Sequence, residues 1–155
     1  MQPEAKARLL RRSIREQAPF WLEVTGQSMG STIHAGSHVL LDDALSPRLG
    51  EIWAWCSDDA TVVVHRSLGR GPGGYRFQGD GRIDADPPVP PDRIIGRVRA
   101  VRYRDEEWRV GPRDRVLKTT RLLALRGART AYRGLPAPVR RGLAPLRRLI
   151  AGRLR

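Results

Sequence analysis

The 155-residue chain has one cysteine, Cys56, which excludes an internal disulfide and a zinc site built on several thiolates. It has only two lysines, Lys6 and Lys118, so nearly all of its 29 basic residues are arginines. No stretch approaches the roughly 18 consecutive apolar residues of a membrane-spanning helix. The opening segment, MQPEAKARLLRRSIREQ, has basic residues but no apolar block behind them, so it does not read as a secretory signal. Acidic residues are missing from the last 40 positions, where 11 Lys/Arg stand alone, whereas all 16 acids lie before residue 116. The net charge of +13 is therefore mostly a property of the tail. A soluble, cytoplasmic protein is expected, and its length suits one domain with an appendage.

Composition breaks near Gly111-Pro112-Arg113, which divides the chain into an N-terminal helix (1–19), a β-rich body (20–111) and a basic, helical tail (112–155). Residues 3–17 place Leu9, Leu10 and Ile14 along one side of a helix among Arg8, Arg11, Arg12 and Arg15. Short β-like runs follow: Phe20 to Val24, Ser37 to Leu41, Glu51 to Cys56, Thr61 to Arg66, Tyr75 to Phe77, Ile94 to Tyr103 and Glu107 to Val110. Turn residues separate them, including a glycine-rich stretch at residues 69–74. Many short strands with frequent turns predict a mainly β fold, either a sandwich or a partly open barrel. Trp53 and Trp55 share one face of their strand, opposite Ile52, Ala54 and Cys56; that face suits substrate, lipid or cover by the N-terminal helix.

Three local signals carry chemistry. Ser28 lies in a glycine-flanked turn, Gly26-Gln27-Ser28-Met29-Gly30, where a hydroxyl can be exposed and a carbonyl substrate can approach the backbone. His65 closes the apolar run Val62-Val63-Val64, and Gly79 to Asp86 forms an acidic loop. As residue types, serine, histidine and aspartate can supply a nucleophile, a base and an orienting carboxylate. Spacing alone does not bring them together. His34 and His38 lack matching acids or cysteines, so no metal and no cofactor is expected.

The order GQSMGSTI, Gly36-x-x-Val39-Leu40-Leu41, GEIWAW, VVHR, GDGRIDAD and RIIGRV resembles the signal peptidase I and LexA-type serine peptidase superfamily, over Val24 to Val101. The resemblance implies a β-rich peptidase fold that cleaves a protein or peptide precursor with a serine nucleophile. Many members pair that serine with a lysine, but both lysines here lie outside the matching region. His65 stands at the general-base position, a pattern similar to the endoplasmic-reticulum and archaeal branch of signal peptidases. On that resemblance Ser28 is the nucleophile and His65 the base, with Asp86, or else Asp80, orienting the imidazole. Gly26, Gln27 and Met29 would shape the oxyanion and substrate-binding backbone. An imidazole titrates near 6.5, so it can act as a neutral base without deep burial.

The chain departs from the pattern at Ser31, where the family usually has proline, and at Gly26, where a hydroxyl often assists the oxyanion hole. Loss of one such donor costs about 100- to 1,000-fold in rate, so slow turnover is expected. The family's membrane anchor has no counterpart here. A basic, leucine-containing tail (Leu143, Leu146, Ile150) suggests instead an anionic membrane surface as a second partner, with nucleic acid ranked last. The alternative function is a non-catalytic peptide-binding or regulatory module of the same fold. A LexA-like repressor fits less well, because residues 1–19 are too short for a helix-turn-helix domain.

Overall fold

The computed structural model describes residues 1–111 and Ala124; the expectations for the tail lie otherwise outside the described residues. Helix α1 (Pro3–Glu16) begins with proline in its first turn, where no N–H is needed, and carries Glu4 there and Arg15 in its last turn, the signs that complement the helix dipole. Its buried side is Pro3, Ala7 and Ile14, while Arg8, Arg12 and Arg15 face water. Three polar contacts tie it to the body: Lys6 Nζ donates to Ala60 O at 2.7 Å, Arg11 Nη2 donates to Asp92 O at 3.3 Å, and Arg93 pairs with Glu4 at 2.6 Å.

Seven strands form one antiparallel sheet rather than a stack of two: β1 (Phe20–Val24), β2 (Ser37–Asp42), β3 (Ile52–Cys56), β4 (Val62–Gly71), β5 (Gly74–Gln78), β6 (Ile94–Tyr103) and β7 (Glu106–Arg109). Their order is β1-β2-β6-β3-β4-β5, with β7 also paired to β6. Strand β6 holds the sheet together. One edge pairs with β2; the other pairs with β3 through Ile94–Arg97 and with β7 through Ala100–Tyr103.

The glycine-rich stretch departs from its expected role as a turn. Strand β4 does not stop at Arg66 but runs to Gly71, and Gly69, at φ +92°, lies within a register shift between Ser67 and Arg70. Glycine here makes a bulge inside a strand, which a residue free of Cβ tolerates. The reversal itself is Pro72-Gly73.

Alternation along the strands sorts the apolar residues into two clusters. Ile52, Ala54, Cys56, Val64, Val98 and Val101 join Ala7 and Ile14 of α1, together with Met29 and Ile33 of the loop after β1. Trp53, Trp55, Tyr75, Phe77, Val89 and Ile94 form the other. The two tryptophans are thus buried by β5 and by Val89, which bridges to Tyr75, and not by substrate, lipid or α1. Glu51, itself buried, accepts the Trp53 indole N–H at 3.1 Å and pairs with Arg97. Gly96 is required by close approach: a Cβ there would lie 2.3 Å from Asp42 O and 3.2 Å from Ile14 Cδ1, where α1 meets the sheet.

Candidate active site

Ser28 is presented by a loop that its apolar neighbours nail down. Met29 and Ile33 are almost wholly buried in the main core, and two tight turns, Gly30 N–H to Gln27 O at 3.0 Å and Thr32 N–H to Met29 O at 3.1 Å, fold the chain between them. Gly30, at φ +55°, takes the left-handed conformation this path needs. Ser28 is left half-buried at the tip. Met29, expected to help bind substrate, spends its side chain on the core; only its backbone remains for that task. Gly26 and Gln27 are exposed, and the space around Gly26 is open, with no atom within 4 Å of a Cβ built there.

His65 lies opposite Trp53 in the β3–β4 ladder and is buried, its ring 6.4 Å from that of Trp55 in an edge-on arrangement. Its Nε2 is 2.8 Å from Ser28 Oγ, and its Nδ1 is 2.6 Å from Asp86 Oδ2. A carboxylate can only accept, so Nδ1–H donates to Asp86 and Nε2 is left to accept the Ser28 hydroxyl proton. Asp86 is brought there by its own N–H, which donates to Phe77 O at 2.9 Å across the neck of the loop. The three residues form one hydrogen-bonded line from a hydroxyl to a carboxylate.

Asp80 is not part of that line. Arg66 grips it with two hydrogen bonds, Nε to Oδ1 at 2.8 Å and Nη2 to Oδ2 at 2.6 Å, while Thr32 Oγ1 donates to Oδ2 at 2.6 Å. The remaining guanidinium arm donates to Gly50 O at 2.8 Å. Arg66 is fully buried and Asp80 nearly so, which makes this pair a clamp between the serine loop, β4 and the acidic loop. Of the two aspartates offered by the sequence as partners for His65, the structure puts Asp86 there and assigns Asp80 to Arg66.

Two glycines let the loops close on each other. A Cβ on Gly79 would stand 2.4 Å from Ser28 O and 3.0 Å from His65 Nε2; one on Gly81 would press on Gly30 N and Ser28 O at 3.2 Å. Gly81 N–H donates to Ser28 O at 2.9 Å, which fixes the backbone of Ser28 itself. Gln78, buried, donates its side-chain amide to Arg82 O and Ile83 O and shapes the loop from within. The sequence reading gave no role to Arg66, Thr32, Gly79, Gly81 or Gln78. The available signal was Arg66, a charge directly after a buried histidine with an aspartate-rich loop downstream to receive it.

The other titratable and aromatic candidates stand apart from this line. His34 packs its ring 5.1 Å from Tyr103, and His38 and Asp84 are exposed. Burial raises the Cys56 thiol above its ordinary value, which makes it a core residue and not a nucleophile. A cavity of about 890 Å³ between the end of α1 and strands β2, β6 and β7 includes none of Ser28, His65 and Asp86. Among the described residues no helix is long and apolar enough to cross a membrane. Comparisons with protein-family models, with curated proteins and with solved structures found no match.

Proposed function

We propose that the chain is a serine endopeptidase of the signal-peptidase and LexA-like type, acting on a protein or peptide precursor. The observation that supports this reading is the continuous line Ser28–His65–Asp86, with contacts of 2.8 and 2.6 Å. Nothing in the packing of a core histidine calls for a serine hydroxyl on one nitrogen and a carboxylate on the other. The line instead matches the needs of acyl transfer, in which a base must be within about 2.6–3.2 Å of the proton it takes.

In this mechanism His65 Nε2 takes the Ser28 proton as Oγ attacks the scissile carbonyl carbon. The carbonyl π pair moves to oxygen, and Asp86 holds the imidazolium that forms. The tetrahedral oxyanion is met by the backbone N–H of Ser28, which no described residue engages. His65 then returns the proton to the leaving amine, leaving an acyl-serine. Water, deprotonated by the same imidazole, releases the acid product and restores Ser28. The clamp of Arg66 on Asp80 and the Gly81–Ser28 hydrogen bond keep the nucleophile's backbone fixed throughout, so little reorganisation accompanies attack.

The test is digestion of a proteome-derived peptide mixture by the full chain, with cut sites read by mass spectrometry. A recurrent cut sequence that disappears in both Ser28→Ala and His65→Ala supports the peptidase. Cuts that persist in either variant overturn the assignment of that residue. Peptide binding without any cleavage by the unaltered chain assigns the regulatory or peptide-binding module instead.

A further inference from the structure

The loop from Gly79 to Asp86 holds three carboxylates, and each is engaged: Asp80 by Arg66 and Thr32, Asp86 by His65, and Asp84 by a contact of its own. The loop also holds one cation, Arg82, which is exposed and whose guanidinium makes no hydrogen bond or ion pair among the described residues. Its isolation is unusual with so many acids close by in sequence. The backbone beneath it is held: Arg82 N–H donates to Gly79 O at 2.9 Å, Arg82 O accepts from Gln78 at 2.8 Å, and the preceding Gly81 donates to Ser28 O at 2.9 Å.

Its position is as telling as its lack of a partner. The point where a Gly79 Cβ would stand lies 3.0 Å from Arg82 Cγ and 3.0 Å from His65 Nε2. The stem of Arg82 and the catalytic edge of the imidazole therefore flank the same small gap, and the guanidinium ends within a side chain's reach of the Ser28–His65 pair. A rigid backbone, an uncommitted charge and adjacency to the reacting atoms are the properties of a recognition residue.

We propose that Arg82 is a specificity residue, which receives the side-chain carboxylate of an acidic substrate residue close to the scissile bond. The inference rests on the peptidase reading of the same site. An exposed ion pair alone contributes little. A substrate laid over the loop would exclude water from the pair, and the guanidinium fork suits a carboxylate in two-point contact.

The experiment uses C-terminally amidated decapeptide libraries, otherwise degenerate, in which one position at a time is Asp, Asn or Lys. Cleavage by the full chain is read by mass spectrometry, and binding is read by peptide retention on its Ser28→Ala variant. A parallel set with a free C-terminus separates a terminal carboxylate from a side-chain one. The expected result is a preference for Asp over Asn of roughly tenfold at one position. It should fall to near one in Arg82→Gln, recover in part in Arg82→Lys, and turn toward Lys in Arg82→Glu. Cleavage with no charge preference overturns this proposal and leaves the peptidase intact. A preference that depends only on the free C-terminus, or one unchanged in Arg82→Gln, also overturns it. Arg82-dependent binding with no cleavage by the unaltered chain supports the recognition role and overturns the peptidase. Neither binding nor cleavage overturns both.

Discussion

Asp80 and Asp86 stand six residues apart in one loop, with the same side chain, and serve opposite ends. Asp80 sits inside, shared between a buried arginine and a threonine hydroxyl; it joins three segments of chain and hydrogen-bonds to neither Ser28 nor His65. Asp86 sits at the rim, partly open to water, with His65 as its partner. The difference is one of burial and of what each carboxylate faces. A charge buried against a fixed guanidinium holds structure. One against an imidazole that alternately gains and loses a proton can follow a reaction.

The widest separation between the two should come from Asp86→Asn. An amide can leave the imidazole in the wrong tautomer, so cleavage of a substrate peptide should fall by about 10³- to 10⁴-fold. Thermal unfolding should move by no more than a few degrees. A variant with more than a tenth of normal kcat would break the comparison by removing Asp86 from the reaction.

Asp80→Asn should show the reverse. It leaves the Arg66 charge buried without its counter-ion, and the expected loss is about 3–5 kcal/mol of folding free energy, measured by urea denaturation. An Asp80→Asn protein with unchanged unfolding midpoint would show that the clamp is not structural. Gly79→Ala probes the ground between the two aspartates. A methyl group there meets Ser28 O and His65 Nε2, and a displacement of about 1 Å in a catalytic site costs on the order of 10²-fold in rate. Retained activity with an intact fold would mean that the two loops are looser than their contacts imply.

The smallest effect belongs to Glu4, far from both aspartates. Hydrogen bonds from its own backbone and then from Arg93 lower its carboxyl below the ordinary value. A lowered folded value means stability that is present above the unfolded value and is lost as pH falls through the folded one. Glu4→Gln should therefore cost a little stability at neutral pH, a difference from the unaltered chain that closes as pH falls through the folded value; a large loss at neutral pH would mark α1 as a far stronger brace than one part-exposed ion pair suggests.

Much of this architecture was open to reading in the chain. Apolar runs bounded by turn residues, within Ser37 to Leu41, Ile52 to Cys56 and before His65, mark short strands. Residue type and motif order pointed to Ser28 and His65 as a candidate pair, and the structure sets them 2.8 Å apart. The end of β4 was not legible, since glycine in a bulge and glycine in a turn look alike in sequence. The burial of Trp53 and Trp55 was also hidden, because the residues that cover them, Tyr75, Phe77 and Val89, come from beyond a glycine-rich reversal.

The sequence by itself determined which chemical groups exist: one serine in a glycine-flanked turn, one histidine ending an apolar run, two aspartates to choose between, and one cation among them. Local physics also determined that the histidine belongs to a strand and the serine to a loop after one. Only the tertiary structure decided the choice. Arg66 has to satisfy a buried guanidinium, and the nearer aspartate, Asp80, is drawn in to do so. That leaves Asp86, pinned by its own N–H to Phe77 O, as the carboxylate facing His65. It also leaves Arg82 exposed on the same loop. These outcomes follow from which buried group lacks a partner once the loops have closed, and that condition spans the loop after β1, strand β4 and the acidic loop together.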